Sequence, residues 1–257
     1  MSAQTITIVG QGKVGLSLAD AIQQKSPASV SGPIPARAAR FEIDSEVVII
    51  ATRDDMVVET SRKVIESATE RLEMIVQVAG SIAPSALAAR HGVSVLTLHP
   101  MQTISSPSAD SFRDIYWMCS SDDPSAIDWA GKFVADLGGL GLLVLEEPNL
   151  PLYHAMTVFS SNFITLLMSG VEEIAVSMKL EPETVKQALK TLAETALQNA
   201  LQNPANSVLT GPFIRKDFLT IRKHQNALSA LDPKLKCIYD AFFGYAVKKK
   251  PDAKRKE

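Results

Sequence analysis

Gly10, Gly12 and Gly15 fall in the run Gly10-Gln11-Gly12-Lys13-Val14-Gly15, directly after the apolar, β-branched segment Ile6-Thr7-Ile8-Val9 and ahead of a stretch with helical periodicity. Each glycine in such a strand-to-helix turn has its own task. The first permits the tight bend, the second lets a pyrophosphate approach the backbone, and the third lets the helix pack on the sheet while its free amides face the phosphates. The spacing in this context predicts a dinucleotide site formed by Gly10, Gln11, Gly12, Lys13, Val14 and Gly15; the plain alternative is a tight turn that binds nothing.

The residues that follow bear on which dinucleotide is accepted. An NAD site usually carries Asp or Glu about 20 residues after the glycine turn, for the ribose 2′-hydroxyl. This chain has Ser31-Gly32-Pro33-Ile34-Pro35 there, with Arg37 and Arg40 close behind. Without a carboxylate to repel it, a 2′-phosphate can be accepted beside Ser31, and Arg37 or Arg40 can pair with it, so NADP is expected ahead of NAD. Plain surface charges are the alternative for both arginines. Ala51-Thr52-Arg53-Asp54-Asp55 closes another strand at the edge where such sheets place ligands, making Thr52 and Asp54 further cofactor candidates; a plain helix cap by Asp54 or Asp55 is the alternative.

Around these residues, Thr5 to about Glu146 alternates short apolar runs with helical stretches, the pattern of a parallel sheet covered on both faces. Strands are predicted at Ile6–Val9, Glu46–Ala51, Met74–Val78, Val93–Leu98, Ile115–Cys119 and Leu142–Leu145, with Ala28–Ser31 as an edge strand. Helices are predicted at Val14–Gln24, Met56–Thr69, Pro84–His91 and Ser125–Leu137. His91 would then cap a helix end. After Pro148 strand signals almost vanish: Leu152–Met178 is long and mostly apolar, and Pro182–Gln202, Arg215–Leu231 and Pro233–Lys248 read as helices, two of them opened by proline. The expected organisation is therefore an α/β fold: a Rossmann-type parallel-sheet domain over 1–148, an all-helical domain over 149–247 and a basic, disordered tail over 248–257.

Composition limits what the chain can be. Twenty-six basic and 28 acidic side chains give a net charge of −2, with no global field for nucleic acid or anionic membrane. Six of the last ten residues are basic, but without interleaved aromatics that tail reads as solvated, and His224 reads as surface. Two cysteines, Cys119 and Cys237, show no metal-ligand spacing; no metal is expected, and a reducing cytoplasm is the simplest setting. No apolar run reaches the roughly 18 to 20 residues that cross a bilayer. A segment as apolar as Val158–Val176 must be covered within the helical domain or by a second copy, and a homodimer through the helical domain is expected.

Leu96-Thr97-Leu98-His99-Pro100-Met101-Gln102-Thr103, Leu152-Tyr153-His154-Ala155 with Ser160-Ser161-Asn162, and Leu209-Thr210-Gly211-Pro212 with Arg215, Asp217 and His224 follow the glycine turn in order. Together these motifs resemble the Rossmann-like family that carries the C-terminal domain of unknown function 2520, over nearly the whole chain. The resemblance implies a helical domain like that of 6-phosphogluconate dehydrogenase and an NADP-dependent oxidoreductase related to β-hydroxyacid dehydrogenases, pyrroline-carboxylate reductases and prephenate dehydrogenases. It supplies no substrate. Two departures stand out. Gln77, Ala79 and Gly80 replace a histidine and a serine that the family tends to place before a glycine, and Val158 stands four residues before Asn162, where the wider dehydrogenase group has a lysine acting on the substrate oxygen.

Hydride transfer at a carbon bearing oxygen or nitrogen needs a proton donor or acceptor at that heteroatom. Histidine is the natural substitute for the missing lysine. His99 and His154 are therefore the catalytic candidates with Asn162, while Gln102, Ser161 and Arg215 are candidates for holding a small keto acid, hydroxy acid or imine. A structural histidine at a strand end, helix-packing polar groups and an exposed charge are the corresponding plain readings. On one continuous helix, His154 and Asn162 would lie about 80° apart. Two rival functions stay open: a prephenate-dehydrogenase-like activity suggested by His99-Pro100-Met101, and a non-catalytic dinucleotide-binding sensor or assembly module suggested by Gln77, Ala79 and Val158.

Overall fold

The computed structural model describes residues 4–248, so the tail expected beyond Lys248 lies outside the described residues. The chain divides into two compact units, Met1–Asn162 and a second beginning at Phe163. The change of texture at Pro148 and the unit boundary do not coincide, because the first helix after Pro148 is anchored on the sheet unit.

In the first unit the strands are β1 (Thr5–Val9), β2 (Ser29–Ile34), β3 (Val47–Ile50), β4 (Met74–Gln77), β5 (Ser94–Pro100), β6 (Tyr116–Ser120) and β7 (Gly141–Val144). They form one sheet in the order β2-β1-β3-β4-β5-β6-β7. Its helices are α1 (Lys13–Lys25), α2 (Val57–Ser67), α3 (Pro124–Asp136) and α4 (Leu150–Ser160). Side-chain alternation divides the core between the two faces. Ile6, Ile8, Val47 and Ile49 pack with Leu18 and Ile22 of α1 and with Trp117 and Phe133, whereas Val9, Val48 and Ile50 pack with Val57 and Val64 of α2. Burial of each such side chain stabilises the fold by about 1.5–3 kcal/mol before the entropy of ordering is counted.

The Rossmann-type α/β architecture holds, and several finer sequence expectations do not. The sheet is not wholly parallel: β6 runs antiparallel to β5, Leu98 facing Cys119 and His99 facing Met118. A parallel return needs a crossover helix, and between Pro100 and Tyr116 the described chain forms only a 3-10 turn at Ala109–Phe112. The helix expected at Pro84–His91 is a 3-10 turn over Pro84–Ala86. Its backbone is tied to other elements instead: Ala88 N donates to Ser61 Oγ at 2.9 Å and Arg90 donates to the carbonyls of Ala68 and Thr69, leaving His91 exposed in a turn and not at a helix end. The edge strand reaches Ile34, three residues farther than expected.

The apolar run Leu152–Met178 is likewise two helices, α4 and α5 (Asn162–Ser177), separated at Ser161. Ser160 Oγ and Ser161 Oγ donate back to Thr157 O at 3.0 and 2.7 Å, a local bonding pattern that competes with the helical ladder. The second unit continues with α6 (Pro182–Gln202), α7 (Ala205–Val208), α8 (Pro212–Arg215), α9 (Phe218–Leu231) and α10 (Pro233–Lys248). The stretch expected from Arg215 starts as a regular helix only at Phe218, because Lys216 is left-handed at φ 56° and Asp217 caps α9 by accepting from Thr220 N at 3.1 Å. No helix among the described residues is long and apolar enough to cross a membrane.

The glycines of the turn carry unequal structural loads. A Cβ at Gly15 would lie 2.0 Å from Gly10 O, and one at Gly10, where φ is +123°, would lie 2.2 Å from Ala51 O. At Gly12 a Cβ meets nothing within 4 Å. Gly15→Ala is therefore expected to destabilise the protein by at least about 1–3 kcal/mol through overpacking against backbone, with Gly12→Ala costing only a fraction of that. Urea denaturation midpoints check this; equal losses for the two variants would contradict it.

Candidate functional site

The chain leaves β1 toward β2 on one side and returns to β3 on the other, so the strand order reverses at β1 and β3 and a crevice opens beyond their carboxyl ends. Gly10, Gln11 and Gly12 fill the first end, Ala51 and Thr52 the second. Ala51 N donates to Val9 O and Gly10 N donates to Ile34 O, each at 2.8 Å, and Gln11 Nε2 donates to Pro33 O at 3.1 Å. The turn is thereby tied to both neighbouring strands. The first-turn amides of a helix have no intrahelical partner. Gly12 gives α1 no side-chain cap, and the first turn, which contains Lys13, Val14 and Gly15, holds no acidic residue. An uncapped helix start with open space at Gly12 fits a diphosphate.

No Asp or Glu occurs from Ala21 to Phe41. Arg37 and Arg40 are exposed beyond the end of β2, and Arg40 lines a hollow of about 420 Å³ with Phe41 and Lys63. Ser31 sits inside β2, paired with Thr7, and its hydroxyl lies 2.7 Å from that of Thr7. Thr52 is half-buried beside the turn. Asp54 opens a 3-10 turn without capping it, and its Oδ2 accepts from Ser81 Oγ at 3.2 Å.

Ser81 leads to the second half of the site. Gln77 at the end of β4 is fully buried; the two N–H groups of its Nε2 face three acceptors, Ala79 O at 2.9 Å, Ile82 O at 2.7 Å and Thr97 Oγ1 at 2.8 Å, while Oε1 accepts from Ala79 N at 2.6 Å. This amide holds the turn 78–82 and keeps its polar atoms inside the protein. The turn brings Gly80 against two imidazoles: a Cβ there would lie 3.1 Å from His99 Cγ and Cδ2 and 3.2 Å from His154 Cδ2.

His99 lies one residue from the carboxyl end of β5, half-buried, and α4 brings Tyr153 and His154 to it. Leu150 and Tyr153, three residues apart on one face of α4, pack with Met118 and fasten the helix to the sheet unit. Tyr153 Oη is 2.6 Å from His99 Nδ1. The His99 ring stands edge-to-face to Tyr153 at 5.7 Å and to His154 at 6.1 Å between centroids. Burial, aided by the neighbouring His154, pushes His99 from 6.5 down to about 4 against the opposing pull of the Asp54 carboxylate. Burial also raises the Tyr153 phenol. His99 is thus a neutral imidazole at neutral pH. Cys119 is buried and its thiol is pushed up to about 11, which suits a packed side chain and not a nucleophile.

The fold therefore gathers the glycine turn, Thr52, Asp54, His99 and His154. Tyr153, Gly80 and Ser81 join them although sequence reasoning gave them no role; Tyr153 was legible as the residue three after Leu150 on a face that must be apolar. The remaining candidates have other surroundings. The break at Ser161 removes the continuous helix on which His154 and Asn162 would lie about 80° apart, and Asn162 Oδ1 lies 2.9 Å from Ser161 Oγ. Gln102 is exposed and its Oε1 accepts from Thr103 N at 2.8 Å. Arg215, at the end of α8 in the second unit, is exposed. No cluster of three or more metal-ligating side chains occurs among the described residues.

The fold recurs in solved structures. A candidate NADP oxidoreductase from Bacteroides fragilis matches with a TM-score of 0.80 at 18% identity, over 96% of this chain and 99% of that one. Pyrroline carboxylate reductase from Plasmodium falciparum, with NADP bound, matches at 0.58 and 10% identity over 96% and 98% of the two chains. An imine reductase from Myxococcus stipitatus in complex with NADP+ matches at 0.60 and 13% identity over 95% and 94%. At such identities these likenesses establish the fold alone. Comparison with curated proteins finds no match. The family described as domain of unknown function (DUF2520) matches residues 115–244, half of the sequence, and the chain belongs to that family.

Proposed function

We propose that the protein is an oxidoreductase that moves a hydride between NADP(H) and a small keto acid, hydroxy acid or imine. The observation that carries this reading is the uncapped start of α1 at the strand-order reversal, with open space at Gly12. Gly10, Gly12 and the amides of Lys13, Val14 and Gly15 would hold the diphosphate, with Gln11, Thr52 and Asp54 bordering it. The absence of acidic side chains from Ala21 to Phe41 and the exposed Arg37 and Arg40 favour a 2′-phosphate, hence NADP over NAD. Ser31, its hydroxyl 2.7 Å from that of Thr7, is the weakest member of that set. A bound nicotinamide supplies or accepts the hydride; His99 and His154 serve the proton and the hydrogen bond at the reacting heteroatom. Asn162 remains the proposed catalytic residue that orients the substrate, and Ser161, Gln102 and Arg215 remain the proposed substrate contacts. The fold shared with an NADP-bound pyrroline carboxylate reductase and an imine reductase supports an imine among the substrates.

Gln77, with its amide bonded internally, and Val158, where the wider group has lysine, favour a second reading: a sensor that binds the dinucleotide without turnover. The second unit supports a homodimer. α6 has no buried residue over 21 positions, and Leu192 and Leu201 are 68% and 72% exposed. The free cysteines Cys119 and Cys237 fit a cytoplasmic setting.

Calorimetric titration should show NADPH binding more tightly than NADH. Gly12→Ala should weaken NADPH at least about tenfold, equivalent to about 1.4 kcal/mol, because its methyl enters the space left for phosphate. Arg37→Ala or Arg40→Ala should narrow the NADPH preference; an unchanged preference in both variants removes the 2′-phosphate contact. The NADPH complex should then be oxidised by a member of a keto-acid and imine panel, whereas tight binding without turnover assigns the sensor role.

His99, facing Asp54, Tyr153 and His154, should titrate by proton NMR near pH 4; a midpoint near 6.5 contradicts the site electrostatics. Its folded value is depressed. The unfolded chain therefore takes up this proton first as pH falls below 6.5, and the stability His99 contributes above that pH is lost between 6.5 and about 4. Light scattering on an eluting peak should give twice the 27.8 kDa chain mass, and a monomer at micromolar concentration rules out the dimer.

A further inference from the structure

We propose that Tyr153 is a positioning residue: its hydroxyl donates to His99 Nδ1 and holds the ring as the Nε2–H tautomer, so that His99 offers a hydrogen-bond donor to the substrate heteroatom. This rests on the reading of His99 as facing the substrate. The contact is short, 2.6 Å, and Tyr153 is 4% exposed. A phenol has one hydrogen to place, and among the described residues His99 Nδ1 is the partner of this hydroxyl. Were Nδ1 protonated, it would point at the phenol oxygen and leave the phenol hydrogen in the core without an acceptor, an arrangement that folded proteins avoid. With the hydroxyl donating, both groups are satisfied. Burial acts in the same sense on each, holding the imidazole neutral and the phenol protonated.

The other nitrogen is open. His99 Nε2 has no hydrogen-bond partner among the described residues, yet the one buried polar side-chain atom there without a partner is Trp117 Nε1, so Nε2 reaches the surface. The ring plane is set by Tyr153 and His154, both edge-to-face, and by Gly80 against its Cγ–Cδ2 edge. A neutral imidazole with a fixed N–H stabilises charge developing on oxygen or nitrogen while keeping its own hydrogen. His154 is then the imidazole left to carry the proton.

Long-range nitrogen-15 correlation spectra of the free protein at pH 7, with His99 assigned by the signal lost in His99→Gln, read the tautomer directly. An upfield, protonated-type Nε2 with a downfield, hydrogen-bonded Nδ1 is expected; the reverse pattern, or averaged shifts from two tautomers, overturns the inference. Tyr153→Phe, which keeps the buried ring, should move both nitrogens toward averaged values, and an unchanged pattern removes Tyr153 from the role. Because the spectra need no ligand, NADPH that fails to bind would defeat the proposed function and leave the tautomer result standing.

Discussion

The closest backbone approach in the glycine turn governs the rest of the site. Gly15 lies so near the Gly10 carbonyl, and Gly10 so near that of Ala51, that no side chain fits at either position. This contact draws the start of α1 onto the carboxyl ends of β1 and β3. It also leaves the helix start bare, since the residue at the cap, Gly12, has no side chain to fold over the amides. The stability of the turn and its capacity for an anion thus come from the same three positions, with Gly12 the one that packing leaves free.

A second set of contacts extends the site from the turn toward the histidines. The Ser81 hydroxyl bonds Asp54 from the third strand end, Gly80 lies against both imidazoles, and the internal bonds of the Gln77 amide hold the intervening turn. α4 completes the cluster because Leu150 and Tyr153 anchor it in the core beside Met118. Chemistry-bearing groups from β5 and α4 meet because Leu150 and Tyr153, on the face of that helix turned to the sheet, are buried beside Met118. His99 is neutral as a consequence of the same burial.

Much of this was legible in the amino-acid sequence. The glycine turn and six of the strands follow from β-branched runs bounded by turn residues, and α6 runs over Pro182–Gln202 as its proline start and periodicity indicate. What escaped depended on partners distant in sequence. Pro84–His91 has helical periodicity but gives its backbone to Ser61 and its arginine to two carbonyls of the preceding loop. The direction of β6 depends on the lack of a crossover helix, which strand composition does not encode. Ser161 interrupts an apolar stretch through side-chain bonds to the previous turn, and this separated Asn162 from the helix carrying His154. Tyr153 was visible in the Tyr-His pair, yet its pairing with His99 spans 54 residues and needed the fold.

On this account a diphosphate lies against the amides that open α1. A crystal structure of the protein grown with excess NADP+ tests that placement most directly. Density for two linked phosphates is expected within hydrogen-bonding distance of the Gly12, Lys13 and Val14 amides, with the nicotinamide end directed toward His99. A dinucleotide bound elsewhere, for instance in the hollow beside Arg40 and Lys63, with the glycine turn solvent-filled, would contradict it.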